Sequence, residues 1–402
     1  MLLEIRLSNF YSIKEEVVLD LRAGHNKTQK AEILRYNTFN YNDEQILKSV
    51  AIYGANASGK SSVVGAISTC CSIVSNSHHN NENSTFDFMP FKFENYPQKP
   101  CCFFARFIMN EIEYEYSFSL TRTEIISEKL YYYPNGRRSK IFTRNEAAGK
   151  TKKEVYSFGS AIPKPMDIAE NTSRKTLYIS RASQMDREIP KAIFNFFNTI
   201  ITFNLENLLN EKQLIEKLYH ENRNVLIKAL EIADSDIVDI KVTTHPLTKE
   251  LLFSTFHKAN KKIPFSLEEE SSGTQILFFA MLFIVDIIKN NKILLVDEIE
   301  ISLHTKIVEY IVGLFHTKES SAQIIYTTHN TNLLNLNNLR KDQIYFTNKR
   351  DDGSTDLYSL FDYKDFRDNM DLEKAYLQGR FDAIPYINDS AENIRSIFDG
   401  KK

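Results

Sequence analysis

The stretch 50–62 has the residue types that bind phosphate, in the order Val-Ala-Ile-Tyr-Gly-Ala-Asn-Ala-Ser-Gly-Lys-Ser-Ser. It fits the template of two glycines with four residues between them, followed by Lys and Ser or Thr. Glycines allow a loop so tight that its backbone N–H groups point inward at phosphate oxygens. Lys60 would neutralise the β- and γ-phosphates, and the Ser61 hydroxyl would ligate Mg²⁺. The predicted nucleotide-binding residues are Gly54, Asn56, Ala57, Ser58, Gly59, Lys60, Ser61 and Ser62.

The alternative interpretation of this stretch is a glycine-containing turn before an ordinary helix. The intact Gly-Lys-Ser and the apolar strand in front of it, 50–53, favour the phosphate loop. A helix that starts near Lys60 would add its positive dipole end to the same site.

A second set of chemical groups follows the apolar run 293–296, where Asp297 and Glu298 stand side by side. A central parallel strand is expected to carry functional residues at its carboxyl end. Asp297 is predicted to hold Mg²⁺, and Glu298 to orient or deprotonate the attacking water. A core strand that happens to end in surface acids is the alternative, which the phosphate loop disfavours.

Two shorter motifs complete the predicted site. Ser272 and Gly273 open an apolar helix, where a serine can cap free N–H groups and a glycine permits close approach to an anion. The apolar strand 323–327 leads into His329, whose imidazole could donate a hydrogen bond to a γ-phosphate. A lone histidine is more often structural, so the neighbouring motifs carry this assignment.

The composition is that of a soluble globular chain. Its 402 residues are enough for two or three domain-sized units, with 42% hydrophobic and 25% charged residues. The net charge is −2, so any binding of nucleic acid would depend on a local basic patch. The pairs Cys70-Cys71 and Cys101-Cys102 match neither zinc nor disulfide spacing and indicate thiols in a reducing cytoplasm. The apolar run Ile276–Val285 is too short to span a bilayer, so we expect a cytoplasmic protein without a membrane partner.

A basic hairpin offers such a local patch. Strand-forming residues dominate 86–158, and Asn135-Gly136 predicts a tight turn. Around this turn lie Arg137, Arg138, Lys140, Arg144, Lys150, Lys152 and Lys153, opposed only by Glu146. They predict either a contact with nucleic-acid backbone or a solvated hairpin, and the second is slightly favoured because charge runs are common on surfaces.

Taken in order, four motifs resemble those of ABC-type ATPases. They are the phosphate loop, Ser-Ser-Gly-Thr-Gln at 271–275, Leu-Leu-Val-Asp-Glu at 294–298 and Thr-Thr-His at 327–329. The segment Ile-Arg-Leu-Ser-Asn-Phe-Tyr-Ser-Ile at 5–13 is similar to the SMC, RecF and OLD branch. The segment Tyr-Leu-Gln-Gly-Arg-Phe-Asp-Ala-Ile-Pro at 376–385 resembles the ending of stand-alone bacterial phage-defence ATPases of the Rlo type.

The resemblance implies ATP and Mg²⁺ as ligands and a homodimer that sandwiches ATP, with Ser272 and Gly273 acting on the opposite protomer. It implies an interface loop at 302–304, in which His304 replaces the usual aspartate. Tyr11 stands where related enzymes often carry arginine. The resemblance also implies a glutamine near the nucleotide, and both Gln98 and Gln184 are candidates for it.

The expected fold is α/β: a P-loop ABC-type ATPase head with a mostly parallel sheet, an antiparallel β section and a helical insertion. The expected divisions are an amino-terminal ATPase lobe (1–85), the antiparallel section (86–160), the helical insertion (161–235), a carboxyl-terminal ATPase lobe (236–345) and an extension (346–402).

The resemblance favours an ATP-driven switch that controls a separate effector in anti-phage defence. An SMC- or RecF-like DNA-repair ATPase and a transporter subunit are the alternatives. A free-standing nuclease is disfavoured, because only about seventy residues follow His329.

Overall fold

The structure, a computed structural model, describes residues 1–24, 32–203, 211–233, 236–248, 250–367, 370–385, 389–390, 393–394 and 397. The strands are β1 (Leu2–Ser8), β2 (Val17–Asp20), β3 (Thr38–Tyr41), β4 (Glu44–Leu47), β5 (Ser49–Gly54), β6 (Cys101–Met109), β7 (Ile112–Leu120), β8 (Ile125–Tyr132), β9 (Ser139–Asn145), β10 (Tyr156–Phe158), β11 (Ile200–Phe203), β12 (Ile237–Thr244), β13 (Leu251–His257), β14 (Asn260–Ser266), β15 (Ile293–Val296), β16 (Gln323–Thr327), β17 (Ile344–Lys349) and β18 (Thr355–Ser359). The helices are α1 (Lys60–Asn76), α2 (Lys152–Val155), α3 (Pro165–Glu170), α4 (Tyr178–Gln184), α5 (Glu188–Asn198), α6 (Lys212–Ile232), α7 (Ser272–Lys289), α8 (Thr305–Phe315) and α9 (Leu372–Leu377).

The central sheet has six strands in the order β11-β15-β16-β5-β17-β18. All neighbours pair in parallel except β17 and β18, which are antiparallel. The carboxyl ends of β5, β15 and β16 therefore meet at one edge of the sheet. This edge brings together the phosphate loop, the acidic pair and His329, as expected for a parallel α/β sheet.

Alternate residues of β5 face opposite sides of the central sheet. Val50 and Ile52 belong to the hydrophobic core that includes α1, whereas Ala51 and Tyr53 belong to the core that includes α7 and α8. Because helices cover both faces, every residue of the strand is buried. This explains why 50–53 is continuously apolar rather than alternating.

A second, antiparallel sheet has seven strands in the order β10-β9-β8-β7-β6-β1-β2. It includes the predicted hairpin with its Asn135-Gly136 turn, where both residues have positive φ angles of 58° and 73°. Positive φ at both turn residues is the conformation that this dipeptide favours. The amino-terminal strands β1 and β2 also belong to this sheet, because Ile5 pairs with Ala105. The predicted boundary at residue 85, between the amino-terminal lobe and the antiparallel section, therefore does not separate two sheets.

Other predicted boundaries also shift. Strand β11 lies inside the predicted helical insertion, yet Ile200 pairs in parallel with Ile293 in the central sheet. Residues 355–359 lie in the predicted extension, yet they form the edge strand β18 of the same sheet. Residues 38–47 form the two-stranded β3–β4 hairpin. These segments are short, so their strand character depends on distant partners rather than on local pattern.

The helix α7 is long and apolar enough to cross a membrane by length and composition alone. All residues from Leu277 to Ile287 are buried against the protein. This agrees with the predicted buried helix.

The basic residues of the β8–β9 hairpin are not all exposed. Arg144 is fully buried, and its guanidinium donates hydrogen bonds of 2.7 Å to Glu146 Oε1 and to the Thr176 carbonyl. Arg138 Nε donates a 2.7 Å hydrogen bond to Glu115 Oε2. Buried charges are retained when they are paired in this way. Arg144 therefore fits neither a phosphate-contact patch nor a solvated hairpin, and the charge of Arg138 is paired with that of Glu115.

Candidate functional site

The phosphate loop is the segment between β5 and α1. A Cβ atom at Gly54 would collide with Thr347 Oγ1, and one at Gly59 would collide with Thr355 Oγ1. Gly59 also has a φ of +106°, a conformation that favours glycine. Thr355 Oγ1 donates a 3.0 Å hydrogen bond to the Ser58 carbonyl. The loop is thus held by residues of β17 and β18 that follow it by almost three hundred positions.

Lys60 is buried at the first position of α1. Its Nζ donates hydrogen bonds of 2.9 Å to the Gly54 carbonyl and 3.0 Å to the Ala55 carbonyl. The same Nζ lies 3.5 Å from Nδ1 of His329. The ammonium group therefore lies inside the loop and beside His329, two residues beyond the end of β16.

The charges around this ammonium group are mostly acidic. Burial lowers the pKa of Lys60, and the nearby carboxylates of Asp297, Glu298 and Glu300 partly oppose this shift. Burial and the charge of Lys60 lower the pKa of His329, so its imidazole is neutral at pH 7. A neutral imidazole next to the ammonium avoids repulsion between two cations.

The acidic pair is fixed by Thr327, the last residue of β16. Thr327 Oγ1 donates a 2.6 Å hydrogen bond to Asp297 Oδ1 and accepts one of 2.7 Å from the Glu298 backbone N–H. Glu298 has a positive φ of 52°, which is uncommon for a residue with a side chain and is often found at functional sites. Its side chain is exposed at the sheet edge, where water can reach it.

The residues present fit Mg²⁺. Among the described residues no cluster of three or more His, Cys, Asp or Glu side chains could hold a metal. Mg²⁺ commonly takes only one or two protein oxygens and completes its shell with water and substrate phosphate. The Ser61 hydroxyl and the Asp297 carboxylate are oxygen donors of this kind, and they would hold the ion.

Comparison with protein families gives a match that spans the segment from β5 to β16. The family described as "AAA domain, putative AbiEii toxin, Type IV TA system" matches residues 49–335, which run from β5 past His329. The chain belongs to this AAA-domain family. The expected fold class, an α/β P-loop domain with a mostly parallel sheet and an added antiparallel section, is confirmed.

Solved structures similar to this AAA domain are heads of SMC proteins. The SMC head domain from Thermotoga maritima is 14% identical at a TM-score of 0.42, with 89% of this chain and 98% of that chain covered. The Smc head with an extended coiled coil bound to the C-terminal domain of ScpA, derived from Pyrococcus furiosus, is 16% identical at 0.40, with 94% and 98% covered. These values are too low to support an argument about function. Curated proteins give no match.

Not every predicted loop residue of the AAA domain is free to face a ligand. Asn56, Ala57 and Ser61 are exposed. Ser58 Oγ lies 2.6 Å from Thr347 Oγ1, and Ser62 Oγ accepts a 2.7 Å hydrogen bond from Ser12 Oγ. The hydroxyls of Ser58 and Ser62 therefore hold the loop to neighbouring strands and turns.

Ser272 and Gly273 lie in the first turn of α7, away from the chain's buried core. Ser271 is the N-cap and accepts a 3.1 Å hydrogen bond from the Thr274 backbone N–H. Ser272 is exposed, and a Cβ atom at Gly273 would lie 3.0 Å from the Ser302 carbonyl. The structure thus brings the 271–275 segment against the loop at 302–304.

The remaining predicted residues are Tyr11, Gln98, Gln184 and His304. Tyr11 Oη lies 2.8 Å from Thr69 Oγ1 on α1. Gln98 is exposed before β6, and Gln184 Nε2 donates a 3.2 Å hydrogen bond to Ser183 Oγ at the end of α4. His304 is the N-cap of α8 and accepts a 3.2 Å hydrogen bond from the backbone N–H of Lys306.

The segment 376–385, which lies beyond the matched AAA domain, is packed into the core. Tyr376 and Phe381 are buried, and the ring of Phe381 stacks on Phe346 of β17 with centroids 4.9 Å apart. Tyr376 also packs edge-on against Tyr53, directly before the phosphate loop, at 6.2 Å. The buried residues of this motif therefore support the central sheet.

One residue of the site was missed by the sequence reasoning. Glu300 Oε1 accepts a 2.6 Å hydrogen bond from the backbone N–H of His329. The only signal was a third acid shortly after Asp297, and acids in surface loops are too common to be informative.

Proposed function

We propose that the chain binds ATP with Mg²⁺ and hydrolyses it. The observation that carries this proposal is the 3.5 Å approach of Lys60 Nζ to His329 Nδ1 at the sheet edge that also carries Asp297 and Glu298. The segment after β5 thus contributes a phosphate-neutralising cation, the segment after β15 a metal-binding acid and a candidate base, and the segment after β16 an imidazole. Membership of the AAA-domain family supports the same conclusion.

Each residue has a distinct role in this proposal. Lys60 exchanges its two backbone carbonyl partners for phosphate oxygens and stabilises their charge. Glu298 orients the attacking water and accepts its proton, and neutral His329 donates a hydrogen bond to the γ-phosphate. Bound Mg²⁺ would neutralise charge on the phosphates. Asp297 and Ser61 are the residues that hold it.

ATP binding is further proposed to close a head-to-head homodimer. Ser272 is exposed at the amino end of α7, where free N–H groups and the helix dipole favour an anion. In this arrangement Ser272 and Gly273 contact the ATP held by the opposite protomer. Hydrolysis then releases the dimer, so that the nucleotide works as a switch.

The proposed output is control of a separate effector in anti-phage defence. The family's description refers to a toxin and a toxin–antitoxin system, which supports a two-component arrangement. Nucleic-acid binding through the β8–β9 hairpin is less favoured, because Arg144 is buried and Arg138 is paired. This also weakens the alternative of a DNA-repair ATPase.

Glu298→Gln tests the core of the proposal. The amide keeps the size of the side chain but cannot accept the proton, so ATP should bind without turnover and dimers should accumulate. Turnover and molar mass with ATP are the measurements, and Glu319→Gln, an exposed acid between α8 and β16, is the matched control. Wild-type turnover by Glu298→Gln would mean that the base lies elsewhere.

The effector is tested by co-purification with the product of the neighbouring gene, followed by phage challenge of strains that carry Lys60→Ala or Glu298→Gln. We expect a stable association and loss of protection in both strains. Protection by the ATPase alone, or failure of any neighbouring product to associate, would rule out the effector.

A further inference from the structure

The loop after β15 also contacts the residue two positions beyond the end of β16, through the side chain of Glu300. Glu300 Oε1 accepts a 2.6 Å hydrogen bond from the backbone N–H of His329. A hydrogen bond to a charged acceptor is stronger than one between neutral groups. The position of the His329 backbone therefore depends on a carboxylate two residues beyond Glu298.

The second oxygen of this carboxylate is unusual. Glu300 Oε2 is buried and, among the described residues, has no hydrogen-bond partner. A buried carboxylate oxygen without a partner is costly, so such a group is more often found where function requires it. The hydrogen bond to Oε1 explains the position of the carboxylate. It does not explain the burial of Oε2, so a structural role alone does not account for both oxygens.

The charge of Glu300 also acts on the imidazole. The groups that influence His329 are Lys60, which lowers its pKa, and the carboxylates of Glu300, Glu298 and Asp297, which raise it. Of these carboxylates, Glu300 raises the pKa of His329 most, and it is the one bonded to the histidine's own backbone. One side chain thus sets both the position and the electrostatic surroundings of His329.

We propose that Glu300 is a positioning residue for ATP hydrolysis, which holds the His329 backbone so that the imidazole stays beside Lys60 and faces the γ-phosphate. This inference rests on the proposed function. Glu300 acts through His329 and touches neither the nucleotide nor the attacking water.

The kinetic test compares Glu300→Ala with Glu300→Gln. Removing the acceptor in Glu300→Ala should lower kcat by about tenfold to a hundredfold, the range of a lost hydrogen bond to a charged group, while ATP affinity stays within about threefold. Glu300→Gln, which keeps an acceptor oxygen, should recover part of the rate. A parallel loss of ATP affinity would indicate general damage to the loop and overturn the proposal.

A double-variant cycle identifies the route of the effect. If Glu300 acts through His329, the variant with both Glu300→Ala and His329→Ala should turn over no more slowly than His329→Ala alone. Additive losses would overturn the proposal. Glu373→Gln is the matched control, because Glu373 accepts a 2.7 Å hydrogen bond from Thr331 Oγ1, two residues beyond His329.

A measurement without ATP separates this inference from the proposed function. The imidazole of His329 is titrated by NMR in the intact chain without nucleotide. Glu300→Gln should lower the pKa of His329 because a negative charge is lost, and Glu373→Gln should leave it unchanged. An unchanged titration in Glu300→Gln overturns the inference, whereas a wild-type chain without ATPase activity overturns the proposed function instead.

Discussion

Thr327 Oγ1 lies 2.6 Å from Asp297 Oδ1, and this hydrogen bond joins the ends of two neighbouring parallel strands. The same hydroxyl accepts a 2.7 Å hydrogen bond from the backbone N–H of Glu298. One hydroxyl therefore sets the direction of both acids. A threonine at this position is short and β-branched, so its hydroxyl has few rotamers and stays in place.

Replacing this hydroxyl should impair hydrolysis more than ATP binding. Thr327→Val has the same shape but cannot bond Asp297 or Glu298, which should cost about 1–3 kcal/mol of transition-state stabilisation, or roughly tenfold to a hundredfold in kcat. Steady-state turnover at saturating Mg²⁺ and ATP is the measurement. Thr202→Val, which removes a hydroxyl bonded to Ser68 from the neighbouring strand β11, should have little effect. Equal losses in both variants would contradict the assignment.

Loss of the Lys60 charge should abolish tight ATP binding. Lys60→Ala leaves the phosphates without their main neutralising cation, and calorimetric titration with ATP should show no measurable heat of binding. The matched control is Lys48→Met, because Lys48 is also buried and bonds the Thr317 carbonyl at the other end of β5. Retained affinity in Lys60→Ala would exclude the phosphate loop as the ATP site.

The shared-site arrangement predicts complementation between two inactive chains. Ser272→Arg places bulk and charge at an exposed helix start, so monomers should bind ATP but neither close nor turn over. A mixture with Lys60→Ala contains one intact composite site per heterodimer, and turnover should reappear. A chain that carries both substitutions is the control, since it cannot complement itself. Normal turnover by Ser272→Arg alone would exclude catalysis across the interface.

His316 should make the fold sensitive to acid. Burial, and secondarily the charge of Lys48, lowers its pKa to about 3, whereas an unfolded histidine titrates near 6.5. Between these pH values His316 is protonated in the unfolded chain and neutral in the folded chain. Its contribution to the free energy of unfolding is therefore complete above pH 6.5. It falls by up to about 1.4 kcal/mol per pH unit as the pH drops towards 3.

The difference between two variants isolates this contribution. His316→Gln keeps a polar group next to Ser49 Oγ, which lies 2.9 Å from His316 Nε2, but has nothing to titrate. Its free energy of unfolding, measured with urea, should decline less steeply from pH 6.5 to 4 than that of the wild type. His304→Gln, at an exposed position, should follow the wild type. Parallel curves for His316→Gln and wild type would contradict the prediction.

The local sequence was sufficient where a motif and its structure share one short segment. The phosphate loop could be read directly because glycine positions determine the loop, and β16 was predicted at its observed bounds, 323–327. Asp297 and Glu298 were identifiable because acids at the end of a buried strand have few structural explanations. In each case the local pattern predicted the position in the fold, and the chemical role stays a prediction.

Only the tertiary structure could reveal the supports of these motifs. Thr355 contacts Gly59, which precedes it by almost three hundred residues. Arg144 is buried and bonds the Thr176 carbonyl and Glu146, and the sequence alone could not show this burial. Glu300 became a candidate only when β15 and β16 were paired. The reason is physical: backbone conformation follows from nearby residues, whereas burial and hydrogen-bond partners depend on which distant strands the whole chain brings together.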